Sequence, residues 1–507
     1  MQAKRYAFVN ILSNALVVFV SAVINIWLTR YLVQKLGVEV YGMFPFAMSV
    51  VLYFSVVSLS LTDSISRFVA ISLNQGRIAR ANTFFSTALI SLLVMSFVLL
   101  VPLILFALYL PVIFNVPSGF ELDASLLLFA IVSGSFLLAI HSPFTIGVFV
   151  RHRFYLTSAI KIAGKLIWIA SIVLGFIYLS QSLWVVGFSY ISMNAFVLVS
   201  HIYLSRKLLP ELHFNPLNFE WRCLHEISML SIWILINQLG ALLYLNISFI
   251  LINLFLGSSA VSFFSPFVLW INLLSSLAAT MTQIYVPVAF EYIAKQRNNI
   301  LAKQTTRAIK LIVLVMGLPV AILCGLSQPI LTVWLDESFG SYWPLAWLLV
   351  LPWVVNMIAR PIYSIFRGFN KLKVPALVTI IVGALNVVLS IVLLATTNWG
   401  IYAVAVSLLI CWTGKNIFFT PVYAAKLLNI RARVFIKALV PGFVFASLFG
   451  FALLVVSRYI YLETFCRLSI VSLVCFVCYG FLAFSVILTA DDRNFIKEII
   501  TRKVADG

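Results

Sequence analysis

Long apolar runs, almost free of charge, alternate along this chain with short polar breaks. A helix needs about 20 apolar residues to cross a hydrocarbon core roughly 30 Å thick. Runs of that length, cut at charged or Pro/Gly/Asn-rich breaks, predict spans at 9–35, 41–65, 83–109, 124–149, 156–179 and 183–204, then 228–255, 261–285, 309–333, 343–366, 374–396 and 400–424, and finally 438–457 and 468–489. The runs are continuous rather than alternating and too long for tilted strands, which excludes a transmembrane barrel. The expected fold class is all-α, a polytopic membrane protein with about 14 transmembrane helices. The expected organisation is a six-helix lobe over 1–207, a second over 208–425, and two additional helices with a tail over 426–507. Lys4 and Arg5 precede an apolar run to Leu36. That run is far longer than the roughly 7–15 residues of a signal h-region, so it reads as an uncleaved first span.

Composition agrees with the pattern. The 507 residues are 63% hydrophobic and only 10% charged, where a soluble fold uses roughly a quarter charged residues. The outer surface must therefore meet lipid. Lys and Arg number 34 against 15 Asp and Glu. In a chain of this kind such an excess marks cytoplasmic loops, not a nucleic-acid partner. With the N-terminus in the cytoplasm, the basic residues gather on one side: Arg77 and Arg80, Arg151 and Arg153, Arg206 and Lys207, Lys295 to Lys310, Lys371 and Lys373, Arg431 to Lys437. The other side holds few, among them Arg30, Lys35, Arg458 and Arg467. Both termini are expected inside, and Trp184, Trp334, Trp343 and Trp399 are expected at the outer interface. The outer loops are short, and the longest cytoplasmic connections are Ser205 to Ile227 and Glu291 to Ala308. Cys475 and Cys478 form a C-x-x-C inside an apolar run with no histidine or second pair nearby, so they read as small apolar filler.

A shift of 220 residues lays Leu36-Gly37 on Leu256-Gly257, Tyr41 to Val51 on Val261 to Ile271, and Thr62 on Thr282. The offset is even in spans, so the halves would be parallel repeats about an axis along the membrane normal. That is a transporter arrangement, with substrate expected between the halves. The polar residues are not repeated: Arg30, Asp63 and Arg67 correspond to Ile250, Gln283 and Pro287.

Ionisable groups inside spans are costly and mark function by default. At about 1.5 Å per residue, Lys165 lies roughly 14 Å in from Leu156, near the midplane. Lys415 and Arg360 lie about 22 and 27 Å from the outer ends of their spans. All three are basic, with no acidic residue at comparable depth. Together with Arg30, near the outer end of the first span, they suggest an aqueous cavity whose positive potential receives a phosphate or diphosphate. Snorkelling to the inner interface is the competing account. It suits Arg367 and Lys161, stays open for Arg360 and Lys415, and is hard for Lys165. Asp63 and Arg67 stand four apart on one helix, as an ion pair would, and read either as a lock on the helix end or as a gate or coupling element. His141, before Ser142-Pro143, marks a kink and is a further gating or coupling candidate beside its plainer role as an interhelical hydrogen-bonder. Asn25, Asn237, Asn246, Asn253 and Asn356 read as helix–helix glue.

There is no G-x-x-x-x-G-K-[ST], no H-E-x-x-H and no carboxylate pair at membrane depth. No catalytic residue, metal site or cofactor is expected. A membrane glycosyltransferase or ligase is opposed by the missing carboxylates and short outer loops. A cation-coupled multidrug or metabolite exporter is opposed by deep charges of the wrong sign for cationic drugs.

The stretch Thr29 to Ala70 resembles the polysaccharide-transport family of oligosaccharide flippases, the O-antigen flippase type. The features are Arg30 to Leu32 at the exit of the first span, Leu36 to Gly42 (LGVEVYG), Arg67 to Ala70 (RFVA), the Asn74-Gln75-Gly76-Arg77 loop and Ala81-Asn82. The resemblance implies the multidrug/oligosaccharidyl-lipid/polysaccharide exporter fold, similar to the multidrug and toxin extrusion transporters, with two six-helix lobes and two C-terminal helices. It implies export of an undecaprenyl-diphosphate-linked oligosaccharide across a bacterial cytoplasmic membrane. The partners it implies are that lipid-linked substrate, membrane lipid, a polysaccharide polymerase and a chain-length regulator. The C-terminal half departs more from the pattern, so the resemblance does not carry the identity of the sugar.

Overall fold

A computed structural model of the chain describes residues 2–151, 153–460, 462–488 and 493; side chains at 2–8, 11, 54, 55, 57–64, 66, 67, 70, 71, 74, 149, 229–231, 233, 234 and 284 lie outside the description. The described residues are helical, with no strand. In chain order the α-helices are α1 (Gln2–Leu36), α2 (Val38–Tyr41), α3 (Met43–Asn74), α4 (Ile78–Ile113), α5 (Glu121–His141), α6 (Ile146–Val150), α7 (Phe154–Tyr178), α8 (Leu183–Leu208), α9 (Trp221–Leu242), α10 (Leu245–Leu256) and α11 (Ser258–Ala294). They continue with α12 (Asn298–Gly325), α13 (Ser327–Trp334), α14 (Glu337–Gly340), α15 (Leu351–Asn356), α16 (Ala359–Gly368), α17 (Lys373–Thr396), α18 (Ile401–Leu408), α19 (Thr420–Leu428), α20 (Arg433–Ser457) and α21 (Phe465–Leu482). Thirteen stretches among the described residues are long and apolar enough to cross a membrane. The remaining predicted span, 41–65, falls on α3, where many side chains lie outside the description.

The chain forms two compact units, one of Met1–Pro266 with Ala376–Val404, the other of Phe267–Pro375 with Ala405–Gly507. In the first unit α5 packs along α8. Gly187 makes that approach possible, because a Cβ there would meet Ala130 Cβ at 2.8 Å; small residues serve this purpose between membrane helices. The two Leu-Gly corners of the repeat adopt matching conformations, with φ +82° at Gly37 and +87° at Gly257. An L side chain avoids that region, which is why glycine stands at both. The corners also pack on each other. Ser258 Oγ donates to Glu39 O at 2.6 Å, Ser262 Oγ donates to Val38 O, and Tyr41 and Ser265 hydroxyls meet at 3.2 Å. A Cβ on Gly42 would lie 2.0 Å from Ser258 O.

One predicted span, 228–255, is in fact two helices, α9 and α10, broken at Leu243 and Tyr244. The break is stable in an apolar setting because its carbonyls are paired. Tyr53 donates to Leu242 O and Asn386 Nδ2 to Leu243 O, each at 2.9 Å, while Tyr244 donates to Thr379 O at 3.1 Å. The connection after α8 is pinned to α4: His213 N–H donates to Asn82 Oδ1 (2.9 Å), Asn215 N–H to Ser86 Oγ (3.1 Å), and Glu220 N–H to Thr87 Oγ1 (3.1 Å).

In the second unit α12 packs along α20, with Gly442 against Val313 and Gly450 against Ala321. The predicted span 309–333 ends earlier, at Gly325, and α13 follows as a separate helix. Trp334 is therefore not an interfacial residue. It is buried at 4% exposure and stacks on Trp270 with ring centroids 6.3 Å apart. Four widened, π-helical turns occur among the described residues of this unit, at Ala346–Val350, Leu409–Thr413, Lys415–Phe419 and Ala483–Ile487.

Candidate functional site

The second unit brings two of the predicted cations into one aromatic neighbourhood. Arg360 opens α16, seven residues after Trp353 on α15, and its guanidinium carbon lies 5.9 Å over the Trp353 ring. Trp353 in turn meets Trp412, at 4.8 Å between centroids. Three residues beyond Trp412, Lys415 is buried at 9% exposure with its ammonium 6.0 Å from the centre of the Tyr363 ring. Both distances sit at the edge of cation–π range, within which a ring quadrupole attracts a positive charge. Between these pairs Asn416 Nδ2 donates to Asn356 Oδ1 at 2.7 Å, and Thr420 Oγ1 donates to Asn416 Oδ1 at 3.2 Å. Asn356 thus acts as the interhelical glue expected of it. Phe366, Phe419 and Tyr423 extend the aromatic surface. Neither 343–366 nor 400–424 contains an acidic residue. The ion pairs described, Arg80–Glu226, Arg222–Glu226 and Lys295–Glu291, belong to the polar ends of helices. Flat rings beside amides suit a ligand with both apolar faces and hydroxyls.

In the first unit Lys165 is half-buried on α7, and Lys161 one turn earlier is exposed. Lys161, Lys165 and Trp168 share a helix face by their spacing. Trp168 packs edge-on against Tyr190 at 6.0 Å. Arg30 is half-buried on α1, beside the stack of Trp27 on Tyr31 (4.8 Å).

His141 ends α5, and the kink after it is a 3₁₀ turn over Ser142–Thr145 leading into α6. Its Nδ1 contacts Leu138 O. Its ring stands edge-on to His201 of α8, 4.9 Å between centroids. His201 is fully buried, with Nδ1 at 2.8 Å from Val197 O and Nε2 without a hydrogen-bond partner. The side chains of Asp63 and Arg67 lie outside the described residues, although both positions are on α3. Among the described residues no group of His, Cys, Asp or Glu gathers as a metal site. Cys475 is buried and Cys478 exposed, both unbridged.

Residues not singled out from sequence are His201, Trp353, Tyr363, Trp412 and Asn416. A faint signal existed for the second unit: Trp353 and Arg360 are seven apart, and Trp412 and Lys415 three apart, spacings that share a helix face.

A chain of stacked, apolar, repeatedly spanning helices carrying deep cations is a multi-pass membrane protein of the transporter type of fold. The protein belongs to the family described as polysaccharide biosynthesis protein, which matches residues 4–293. It is 29% identical over 492 residues to the uncharacterized membrane protein EpsK of Bacillus subtilis (strain 168), covering 96% of this chain and 97% of that one. In structure it resembles an inward-facing multidrug resistance MATE family transporter of the MOP superfamily, with a TM-score of 0.63 at 15% identity over 89% of this chain and 99% of that one. It also resembles the lipid II flippase MurJ in an inward closed conformation, with a TM-score of 0.61 at 13% identity over 94% and 98%. These likenesses establish the all-α fold that the chain shares with those structures.

Proposed function

We propose that the chain is a flippase that carries an undecaprenyl-diphosphate-linked oligosaccharide from the inner to the outer leaflet of the cytoplasmic membrane by alternating access, without catalysing a reaction. The observation that carries the reading is the Arg360–Lys415 neighbourhood, where two cations rest on aromatic faces beside an asparagine pair within spans that contain no carboxylate. A lipid-linked sugar diphosphate has an anionic head and many hydroxyls that hydrocarbon cannot solvate. Lys165, Arg360, Lys415 and Arg30 serve its diphosphate, and the ring faces and amides serve its sugars. Family membership and the fold shared with MurJ support the reading. Outward movement of an anion is helped by a negative-inside potential, by about 2.3 kcal/mol per uncompensated charge per 100 mV. Asp63, Arg67 and His141 are assigned to gating or coupling. The loop charges support an orientation with both termini in the cytoplasm; a polymerase and a chain-length regulator would use the delivered product on the opposite side of the membrane.

The test is deletion of the chain followed by mass spectrometry of the lipid-linked precursors that accumulate. Lys165→Gln, Arg360→Ala and Lys415→Ala are expected to reproduce the accumulation at normal protein level, with Lys→Arg and Arg→Lys exchanges milder. Unchanged surface polymer in all three variants overturns the assignment of these cations. No accumulated precursor on deletion overturns the substrate class.

A further inference from the structure

The connection between α8 and α9, residues 209–220, reads from its charges as a cytoplasmic loop, but it does not lie where a solvated loop would. Three hydrogen bonds fix its level: the N–H groups of His213, Asn215 and Glu220 donate to Asn82, Ser86 and Thr87 of α4. α4 is free of charge from Ala81 to Ile113, and its predicted span begins at 83. At about 1.5 Å per residue, Thr87 stands about 6 Å inside that boundary. The same residues fix the side. Seven and eleven positions beyond Ser86 and Thr87 come Leu93, Val94, Phe97 and Val98, which share their face of the helix. All four are exposed, Phe97 at 73%, so this face of a membrane-spanning helix meets lipid. The connection therefore lies against the lipid-facing side of α4, at the level where headgroups give way to acyl chains.

Its side chains divide accordingly. Leu209 and Leu212 turn inward and pack in the cluster that holds Cys223 and Ile227. Phe214, Leu217 and Trp221 turn outward. Leu217, in the 3₁₀ turn begun by Pro216, is 90% exposed, and Trp221, edge-on to Phe219 at 5.1 Å, is 76% exposed. Apolar side chains topped by tryptophan are at home in a bilayer interface, where such a face sinks about 5–10 Å into the headgroup and acyl boundary. Charge is the second feature. Residues 77–80, 151 and 206–226 carry six Lys or Arg against three Glu, and Arg151 is tied to this end by its Nε, which donates to Leu208 O at 3.2 Å. Arg80 and Arg222 share the Glu226 carboxylate, at 3.6 and 3.7 Å, and both are at least half exposed. Two guanidiniums on one carboxylate leave positive charge over for a phosphate oxygen.

We propose that the α8–α9 connection is an interfacial anchor that inserts Leu217 and Trp221 into the cytoplasmic leaflet, in the orientation given above, and holds an anionic phospholipid headgroup by Arg80 and Arg222. The anchor does not depend on what the chain carries.

Insertion is tested with the full-length protein in nanodiscs, carrying Cys466→Ser and Cys478→Ser, with bimane attached at Leu217→Cys or at Asn299→Cys on the other long cytoplasmic connection. Nitroxide lipids labelled near the ester are expected to quench position 217 more than position 299, and aqueous iodide to do the reverse. Iodide quenching as strong at 217 as at 299 overturns insertion and marks the face as one open to a cytoplasmic protein. The headgroup is tested on the wild-type chain by crosslinking diazirine-bearing phosphatidylglycerol or phosphatidylcholine at equal mole fraction, with adducts mapped by mass spectrometry. On 209–226 the anionic lipid is expected to be preferred by about fivefold, as one net positive charge near the surface gives. Arg80→Gln with Arg222→Gln should bring the two lipids level while leaving the quenching at 217 unchanged, and Arg80→Lys with Arg222→Lys should keep the preference. Equal crosslinking in the wild type, or a preference that survives the double glutamine change, overturns the headgroup site.

Discussion

Replacing Gly42 by alanine tests how the two Leu-Gly corners hold the first unit together. The added Cβ would lie 2.0 Å from Ser258 O, 2.7 Å from its Oγ and 2.8 Å from its carbonyl carbon. Two of these three are backbone atoms, which cannot swing aside. Overpacking of this kind costs about 1–3 kcal/mol. Parting the corners also strains the Ser258–Glu39, Ser262–Val38 and Tyr41–Ser265 hydrogen bonds, each worth about 1 kcal/mol net. A loss of about 4–6 kcal/mol follows, or roughly three to four and a half decades in the folding equilibrium. Two other glycines calibrate the result. At Gly37 a Cβ meets nothing within 4 Å, but φ is +82° and ψ 162°, an extended conformation at positive φ that is essentially confined to glycine, so alanine there carries only a backbone strain of about 1–3 kcal/mol. At Gly414 nothing lies within 4 Å and φ is −57°, so alanine is neutral or stabilises by up to about 1 kcal/mol. Equilibrium unfolding of the purified protein in mixed detergent micelles should rank the variants Gly42→Ala, Gly37→Ala, wild type, Gly414→Ala, from least to most stable. A Gly42→Ala protein as stable as wild type, or a Gly414→Ala protein below Gly37→Ala, would refute the packing argument.

Further expectations concern ionisable groups. Burial first, then the Glu220 carboxylate that accepts from its Sγ at 3.5 Å, pushes the Cys223 thiol up to about 11. Iodoacetamide at pH 8 should therefore modify exposed Cys466 and spare Cys223, read by peptide mass spectrometry; rapid loss of the Cys223 thiol at pH 8 counts against this environment. Lys295 donates to the Glu291 carboxylate at 2.5 Å and holds its pKa below the ordinary carboxylate value. A depressed carboxyl contributes stability that is present above its unfolded pKa of about 4.3 and disappears as pH falls through the folded value. The difference in unfolding midpoint between wild type and Glu291→Gln should therefore shrink with acidification below that pH, and a constant difference would contradict it. If Asp63 and Arg67 lock the end of α3, exchanging the two residues should restore part of the precursor transport lost in either Asp63→Asn or Arg67→Gln; no recovery in the exchanged protein removes the lock.

Some helix limits were legible because hydrocarbon thickness imposes them, though α3, α11 and α12 extend well outside the predicted spans. The run 374–396 became Lys373–Thr396, and 183–204 became Leu183–Leu208. Interruptions inside runs were not legible. Nothing in the apolar string around Leu243 and Tyr244 announces a break, since the groups that satisfy it, Tyr53 and Asn386, come from distant parts of the chain. The widened turns leave no mark in hydropathy either. Trp334 looked interfacial because sequence position was its only coordinate; the ring that buries it, Trp270, lies more than sixty residues away. Arg360 and Lys415 stood out because charge is rare at depth, yet their aromatic supports did not, since tryptophan and tyrosine are ordinary in such spans. His201 carries no mark in sequence of its contact with His141, which lies sixty residues away in the chain.

The meeting of the repeated corners has an ancestral meaning. Under the 220-residue offset, Val38 corresponds to Ser258 and Gly42 to Ser262. The approach of Gly42 to Ser258 is therefore answered by that of Ser262 to Val38. Contacts that exchange places in this way are the mark of an isologous interface, the kind formed by two identical subunits about a dyad. A half-length progenitor bearing this corner would have been self-complementary at it, so that fusing two tandem genes would have required no new surface for the joined product to close upon itself.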